Sequence, residues 1–203
     1  MNSKEKNILN DPQASYGTFS YADYLTWDLD EMVELIKGKI FRQAAAAPRR
    51  IHQEVALQLA RKIADFLDDK PCKVFIAPFD VRLSSGSYEN EDIFTVVQPD
   101  ICVVCDSQKL DEMGCKGAPD LIIEILSPGN NQKELIHKYE VYQESGVKEY
   151  WIIQPSGQTL LVYTLTDGKY IPSRLFTTGM KYSSTTIEGL EIDLGEIFGG
   201  LEE

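Results

Sequence analysis

Two acidic residues lie where the sequence predicts buried strands, and they are the first candidates for chemistry. Glu124 interrupts the apolar run DLIIEILS at residues 120–127, which is typical of a central strand covered on both faces. Asp100 ends the preceding strand candidate at Val-Val-Gln-Pro-Asp. If the two strands are neighbours, both carboxylates can converge on a cation. Such oxygen ligands suit Mg²⁺ or Mn²⁺ together with phosphate oxygens, so the pair indicates phosphodiester chemistry.

A structural role for the same two acids remains open at this point. An unpaired carboxylate in an apolar strand would cost several kcal/mol of desolvation, so Glu124 needs a partner of some kind. That partner could be a buried Lys or Arg instead of a metal, and Asp100 could cap a turn after Pro99.

Two helices are predicted in the first third of the chain. Ser20 followed by Asp23 is a helix-start pattern, so residues 21 to about 29 are expected to be helical. A longer helix begins at Arg50, because apolar residues recur there at three- and four-residue spacing. These apolar residues are Ile51, Val55, Leu59, Ile63, Phe66 and Leu67.

A β-hairpin is predicted between these helices. Residues 33–36 and 39–41 are apolar-rich and flank Lys37-Gly38, where glycine can supply the positive φ that the turn needs. This places Glu34 on a strand.

The remaining elements predict one α/β domain over residues 1–203, with residues 1–13 disordered. Strands are expected at 73–83, 95–105 and 120–127, followed by a helix at 132–144 that ends at Gly146. EYWIIQP then returns as a buried strand, which implies a right-handed parallel crossover. A second hairpin, 159–165 with 169–175, turns at Asp167-Gly168, and a strand-rich tail ends near Phe198.

The four cysteines predict a reducing cytoplasm and no disulfide framework. Cys102 and Cys105 have the spacing of a zinc or redox pair, but no second such pair accompanies them. Because residues three apart on a strand point to opposite faces, we expect buried free thiols.

Composition restricts the partners of the protein. The formal charge of -12 opposes a polyanion on average, so any DNA role must depend on local charge or a metal. No run of 18 apolar residues and no signal-peptide core occurs, which predicts neither a membrane protein nor an exported one. No P-loop, Gly-x-Gly-x-x-Gly or Gly-x-Ser-x-Gly element is present.

Several blocks in order resemble one protein family. VQPDICVV, GAPDLIIEILSP and HKYEVYQESGVKEYWIIQP, together with the VELIKGKI hairpin, resemble the Uma-type endonucleases of the PD-(D/E)XK nuclease superfamily. The resemblance covers about residues 19–170. It implies a restriction-endonuclease-like α/β fold, in which a central mixed β-sheet is flanked by helices and carries an added β-hairpin.

The resemblance also implies roles for individual residues. Asp100 matches the aspartate of the PD element and Glu124 the acid of the (D/E)XK element, so both would be metal ligands. Glu34 would complete or support the metal site. Leu126 stands where the superfamily has its lysine, and Lys138 on the following helix is the matching substitute. Its ammonium would orient or deprotonate the attacking water, or stabilise charge on the phosphate.

Simpler roles exist for two of these basic residues. Lys138 could form a surface salt bridge with Glu134, one helical turn earlier, worth only ~0.3 to 0.5 kcal/mol. His52 matches a histidine common in the family and could reach phosphate or the metal site, although a lone helix histidine is more often structural.

The function implied is that of a metal-dependent endonuclease that cuts DNA with Mg²⁺ or Mn²⁺. Nucleases of this kind commonly dimerise to cut two strands, which makes a homodimer an expected partner. The rival hypothesis is a nuclease-like interaction module that has lost its catalytic lysine. The orientation of Lys138 towards Asp100 and Glu124 discriminates between them.

Overall fold

The computed structural model describes residues 18–28, 32–42, 50–84, 86–127 and 132–201. The prediction for residues 1–13 and the predicted helix end at residue 29 lie outside these ranges. The side chain of Glu134 is also outside the description.

The first helix, α1 (Tyr21–Tyr24), is shorter than the sequence pattern predicts. It begins with the expected capping box, in which the Ser20 backbone N–H donates to Asp23 Oδ2 at 2.8 Å. It ends early because the Thr26 hydroxyl donates to the carbonyl oxygen of Asp23 at 2.6 Å, which competes with continuation of the helix.

The first hairpin forms as predicted. Strands β1 (Val33–Ile36) and β2 (Lys39–Arg42) pair in antiparallel register, with Glu34 opposite Phe41. Lys37 and Gly38 both have positive φ, at 51° and 74°, which a tight two-residue turn requires.

A seven-stranded mixed sheet, called the main sheet below, forms the centre of the molecule. Its strands are β3 (Lys73–Ile76), β6 (Ile101–Val104), β9 (Leu121–Ile125), β10 (Glu149–Gln154), β11 (Thr159–Thr166), β12 (Lys169–Pro172) and β13 (Phe176–Thr177). The order is β12-β11-β10-β9-β6-β3, with β13 beside β11. Strands β9 and β10 are parallel, and the predicted helix, α3 (Gln132–Ser145), connects them.

Helices cover both faces of the main sheet. On one face, α2 (Arg50–Leu67) buries Val55, Leu59 and Ile63 against strand residues that include Ile123 and Trp151. On the other face, α3 packs through buried side chains such as Tyr142. The predicted apolar periodicity of α2 and the predicted central strand β9 are both confirmed.

A second sheet of six strands was not predicted beyond its hairpin. Besides β1 and β2 it contains β4 (Val81–Leu83), β5 (Thr95–Val97), β7 (Leu110–Asp111) and β8 (Gly114–Lys116), in the order β2-β1-β5-β4-β8-β7.

Two predicted long strands are each divided between the sheets. The segment 73–83 contributes β3 to the main sheet and β4 to the second, and the segment 95–105 contributes β5 and β6 in the same way. Each break contains a proline, Pro78 or Pro99, which cannot donate a ladder hydrogen bond. The second break places Asp100 where the chain passes from one sheet to the other.

The C-terminal tail was predicted to be strand-rich as far as Phe198, and it ends in a helix instead. Strands β14 (Lys181–Ser183) and β15 (Glu191–Asp193) pair with each other, and α4 (Leu194–Phe198) follows. Asp193 begins this helix by accepting a hydrogen bond from the Gly195 backbone N–H at 2.8 Å.

The tail is held to the main sheet by a buried carboxylate that neutral groups of the described residues satisfy. Glu149 is fully buried, and its Oε1 accepts hydrogen bonds from Trp151 Nε1 at 2.7 Å and Tyr182 Oη at 2.6 Å. Its Oε2 accepts from the Ser184 hydroxyl at 2.8 Å and the Thr186 backbone N–H at 2.9 Å. Neutral donors therefore satisfy this charge and anchor the segment around β14.

The prediction of free thiols is right for Cys102 and wrong for Cys105. Cys102 and Cys115 are free and buried, whereas Cys105 forms a disulfide with Cys72. The pairing of Lys73 with Val104 puts Cys72 opposite Cys105 at the ends of β3 and β6. A partner on a neighbouring strand cannot be identified from spacing within one strand.

We expect Glu149→Gln to lower the free energy of unfolding by about 2–4 kcal/mol, since the amide replaces a charged acceptor by a donor that faces other donors. Urea unfolding followed by tryptophan fluorescence measures this change. Glu191→Gln is the control, because the exposed Glu191–Lys181 ion pair should contribute less than about 1 kcal/mol. Equal effects of the two substitutions would contradict the anchoring role.

Candidate active site at the junction of the two sheets

Asp100 and Glu124 come together because their strands are neighbours. Strands β6 and β9 are antiparallel with Ile101 opposite Ile123, so one residue further along the register Asp100 faces Glu124. The Ile125 backbone N–H donates to Asp100 Oδ2 at 2.7 Å, which fixes the aspartate across the end of β9. The predicted adjacency of the two acid-bearing strands is confirmed.

Lys138 lies between two buried carboxylates. Its Nζ is 3.0 Å from Glu124 Oε1 on the main sheet and 3.0 Å from Glu34 Oε1 on the second sheet. Only 3% of the lysine side chain is exposed, so Lys138 does not lie at the surface. The pairing with Glu134 considered for it lies outside the described side chains. The buried-cation partner considered for Glu124 is therefore present, and it is the same lysine that the family resemblance indicates.

Further donors complete the shell around these carboxylates. The Tyr142 hydroxyl donates to Glu124 Oε1 at 2.7 Å, and the Gln98 backbone N–H donates to Glu34 Oε1 at 2.8 Å. Tyr142 was predicted only to pack α3 onto the sheet. It does so, but it also reaches the site, and its position one helical turn after Lys138 is the sequence feature that indicates this.

Gln98 links the site to Asp80, a further acid that the sequence did not suggest. Its side-chain Nε2 donates to Asp80 Oδ1 at 2.8 Å, and Asp80 Oδ2 accepts from the Tyr21 hydroxyl at 3.1 Å. Burial, aided by Asp80, raises the pKa of Tyr21 above its ordinary value, so the phenol stays a donor. This network fixes the residues just before Asp100.

His52 contacts Asp100 from the first turn of α2. Its Nε2 is 3.3 Å from Asp100 Oδ1, and 13% of the histidine side chain is exposed. The hydrogen bond to Asp100 raises the pKa of His52, against the opposing effect of partial burial. His52 was considered either as a structural residue or as one that reaches the site. The structure places its imidazole next to Asp100, at the site.

The electrostatics of Glu124 reflect its crowded surroundings. Burial raises the pKa of Glu124 to about 7, and the nearby negative charges of Asp100 and Glu34 add to this effect. Lys138 and the hydrogen bond from Tyr142 oppose it. Among the described residues, three carboxylates lie around the ammonium of Lys138, so additional positive charge would be favourable.

Asp100 and Glu124 could supply some, but not all, of the ligands of a divalent cation. In the described ranges, no three His, Cys, Asp or Glu side chains are grouped closely enough to hold a metal ion by themselves. Asp100 and Glu124 nevertheless form a carboxylate pair on adjacent strands, and Mg²⁺ commonly takes one or two carboxylates with waters and phosphate. Glu34 is already bound to Lys138 and Gln98, and only 2% of its side chain is exposed.

Comparison with known proteins agrees with this architecture. The model of the Uma2 family, described as "Putative restriction endonuclease", matches residues 21–195. A protein of Synechocystis sp. called uncharacterized protein slr1290 is 22% identical over 163 residues, which covers 79% of this chain and 81% of the relative.

A solved structure supports the fold assignment. The crystal structure of a "putative nuclease belonging to DUF820" from Anabaena variabilis superposes with a TM-score of 0.69 at 20% identity. The match covers 89% of this chain and 97% of the other. The predicted restriction-endonuclease-like fold is confirmed. As for membranes, none of the helices in the described ranges has the length and apolar character to cross a bilayer.

The raised pKa of Glu124 predicts a pH dependence of stability. Between pH 4.5, its ordinary pKa, and about 7, the folded chain keeps a proton that the unfolded chain releases. The stabilising contribution is complete below the lower value and is lost as the pH rises through the upper one. In metal-free buffer, we expect the stability of the wild type relative to Glu124→Gln to fall by on the order of 1–3 kcal/mol over this range.

Urea denaturation at several pH values measures this difference. The matched control is Glu112→Gln, because Glu112 is exposed. A wild-type advantage over Glu124→Gln that stays constant with pH would show that Glu124 does not titrate in this range.

Proposed function

Because the chain belongs to the Uma2 family, we propose that it is a metal-dependent nuclease that hydrolyses phosphodiester bonds of DNA. The observation that carries this proposal is the position of Lys138, whose ammonium contacts Glu124 next to Asp100. Enzymes of the superfamily need the ammonium of a lysine beside their two acids. Lys138 supplies it from α3, in place of the strand position that Leu126 occupies.

Asp100 and Glu124 are the residues that would hold Mg²⁺ or Mn²⁺. When bound, such an ion supplies positive charge that stabilises the phosphoryl transition state. Asp100 is prepared for this role because the Ile125 backbone N–H and His52 fix its orientation. Glu34 supports the site indirectly, since it holds Lys138 in place.

The surroundings of Lys138 narrow its role. Two carboxylates at 3.0 Å favour the charged ammonium, which cannot act as a base. We therefore assign Lys138 to orienting the attacking water and to stabilising negative charge on the phosphate, and not to removing the proton from water. The ammonium lies beside Glu124, next to Asp100, as the nuclease hypothesis requires, and this observation favours the nuclease over an interaction module.

A DNA substrate also bears on location. The cytoplasm contains DNA, and it remains our proposed compartment. The Cys72–Cys105 disulfide lies at the far ends of β3 and β6 from Asp100, so the proposed chemistry does not depend on its redox state.

With Mn²⁺ or Mg²⁺, we expect the wild type to cleave supercoiled or single-stranded DNA. We expect the cleavage rate of Asp100→Ala to be lower by a factor of about 100 or more. The control Asp69→Ala removes an aspartate that is 87% exposed and should leave the rate unchanged. Gel assays measure cleavage, and thermal unfolding reports the ion, because Mn²⁺ should raise the midpoint of the wild type but not of Asp100→Ala. A wild type inert on plasmid, linear and single-stranded DNA with both ions would favour the interaction module.

Removal of Lys138 tests its role in the chemical step. Lys138→Met alone removes the cation that contacts both buried carboxylates and should destabilise the fold by about 3–5 kcal/mol. The informative variant is therefore Lys138→Met combined with Glu34→Gln, compared with Glu34→Gln alone. We expect the double variant to fold, to respond to Mn²⁺ in thermal unfolding, and to lose about 100-fold in single-turnover rate. Turnover within a few-fold of Glu34→Gln would limit Lys138 to a structural role.

A further inference from the structure

A groove leads away from Asp100 along the surface of α2. It has a volume of about 360 Å³, and one side is formed by Gln53, Ala56, Leu57 and Ala60, which share a face of the helix. The other side is Ile76 and Ala77, at the end of β3, and Arg50, His52 and Asp100 also contribute. The groove is thus apolar beside Ala56, Leu57 and Ala60. It is polar at the start of α2, where Arg50, His52, Gln53 and Glu54 line it together with Asp100.

The apolar side chains of this groove are unusually exposed. Leu57 is 71% exposed and Ile76 is 57% exposed, the two highest values among the large exposed apolar residues of the described chain. The three alanines that line the groove with them, Ala56, Ala60 and Ala77, leave space that longer side chains would fill. Neighbouring exposed apolar residues of this kind indicate a binding surface more often than scattered single ones do.

We propose that this groove binds an unpaired nucleotide next to the cleaved phosphate, so that the preferred substrate is DNA that is single-stranded or locally unpaired at the cleavage position. The inference rests on the proposed function, because Asp100 marks where the phosphate lies. The nucleotide covalently attached to that phosphate must occupy the space beside Asp100, and the groove is that space.

The chemistry of the groove favours an unstacked base over a paired duplex. A duplex presents phosphates and sugars to a protein surface, whereas Leu57, Ile76 and the alanines offer no donor or positive charge to a phosphate. An extruded or single-stranded base exposes a flat apolar face that stacks against such side chains. The volume is also in the range of small-molecule sites.

The charge of the chain points the same way. Binding to a rigid duplex depends on many Lys and Arg contacts with phosphate. This chain has 20 Lys and Arg against 32 Asp and Glu residues, and Arg50, the arginine at the groove, contacts Glu54 at 2.8 Å. Contacts with an unpaired base supply affinity that the charge of the protein does not.

The test compares two DNA duplexes that share the same labelled strand. In one the complementary strand is fully paired, and in the other it carries a few mismatches around the position where the labelled strand is cut. With Mn²⁺, we expect the wild type to cleave the mismatched duplex at least about tenfold faster. The double variant Leu57→Ala/Ile76→Ala should lose most of this preference, since removing two aliphatic side chains that cover a base should weaken its binding about tenfold or more. Both residues are largely exposed, so the variant should fold.

The matched control is Ile136→Ala/Ile171→Ala, which removes two other exposed isoleucines, at 48% and 55% exposure, outside the groove lining. It should keep the wild-type preference. Equal cleavage of both duplexes by the wild type, or an unchanged preference in the groove variant, would overturn the inference while leaving the nuclease proposal intact.

A binding measurement separates failure of the groove from failure of the enzyme. Fluorescence anisotropy in Ca²⁺ should show that the groove variant binds the mismatched duplex about tenfold more weakly than the wild type does, whether or not cleavage is detected. Unchanged binding would overturn the inference. Sedimentation of both proteins tests the other occupant, a second copy of the chain. A wild-type dimer that the groove substitutions dissociate would also overturn it.

Discussion

The ammonium group of Lys138 is the interaction on which the arrangement of the two sheets depends. Glu34 belongs to the second sheet and Glu124 to the main sheet, and each is too deeply buried to keep its charge without a partner. One lysine serves both, so α3, β1 and β9 must meet at one point. One ammonium cannot neutralise both carboxylates once Glu124 is ionised, so net negative charge lies next to Asp100 above the raised pKa of Glu124. The same group of charges therefore holds the two sheets together and favours the proposed binding of a cation.

A second buried acid shows what a purely structural solution looks like. Glu149 has no cation near it in the contacts of the described residues, and two aromatic side chains, hydroxyls and a backbone N–H satisfy its oxygens. That shell is closed and holds the C-terminal tail. Glu124 differs because only its Oε1 receives hydrogen bonds from described residues and because other acids surround it. Both carboxylates are unexpected in apolar strands. Only their surroundings show that Glu149 anchors the tail and that Glu124 belongs to the candidate site.

The sequence predicts those features of the fold that local patterns determine. The face of α2 follows from its periodicity, the turn at Lys37-Gly38 from glycine, and β9 from its continuous apolar run. The second sheet could not be predicted in this way, because β4 and β5 are short and their pairing involves residues far apart in the chain. Pro78 and Pro99 stood inside predicted strands and were the available evidence for the breaks.

The candidate site shows the same division. Asp100, Glu124, Lys138 and Glu34 were identified from the chain and its family resemblance, and the structure brings all four to one place. The Tyr142 hydroxyl and the Asp80 network depend on side-chain directions in three dimensions, and the Cys72–Cys105 bond depends on strand pairing. Sequence spacing alone carries little information about such contacts.

The proline between the two sheets has a consequence for how this protein can change over evolution. Gln98 holds Glu34 through its backbone, and Asp100 faces Glu124, so Pro99 alone separates the two halves of the site. A fixed φ at this residue sets the spacing between them. Insertions and deletions are readily accommodated in surface turns such as Asp167-Gly168. At Pro99 one additional residue would move Asp100 out of register with Glu124, so chain length here is constrained even where the identity of the surrounding residues is free to vary.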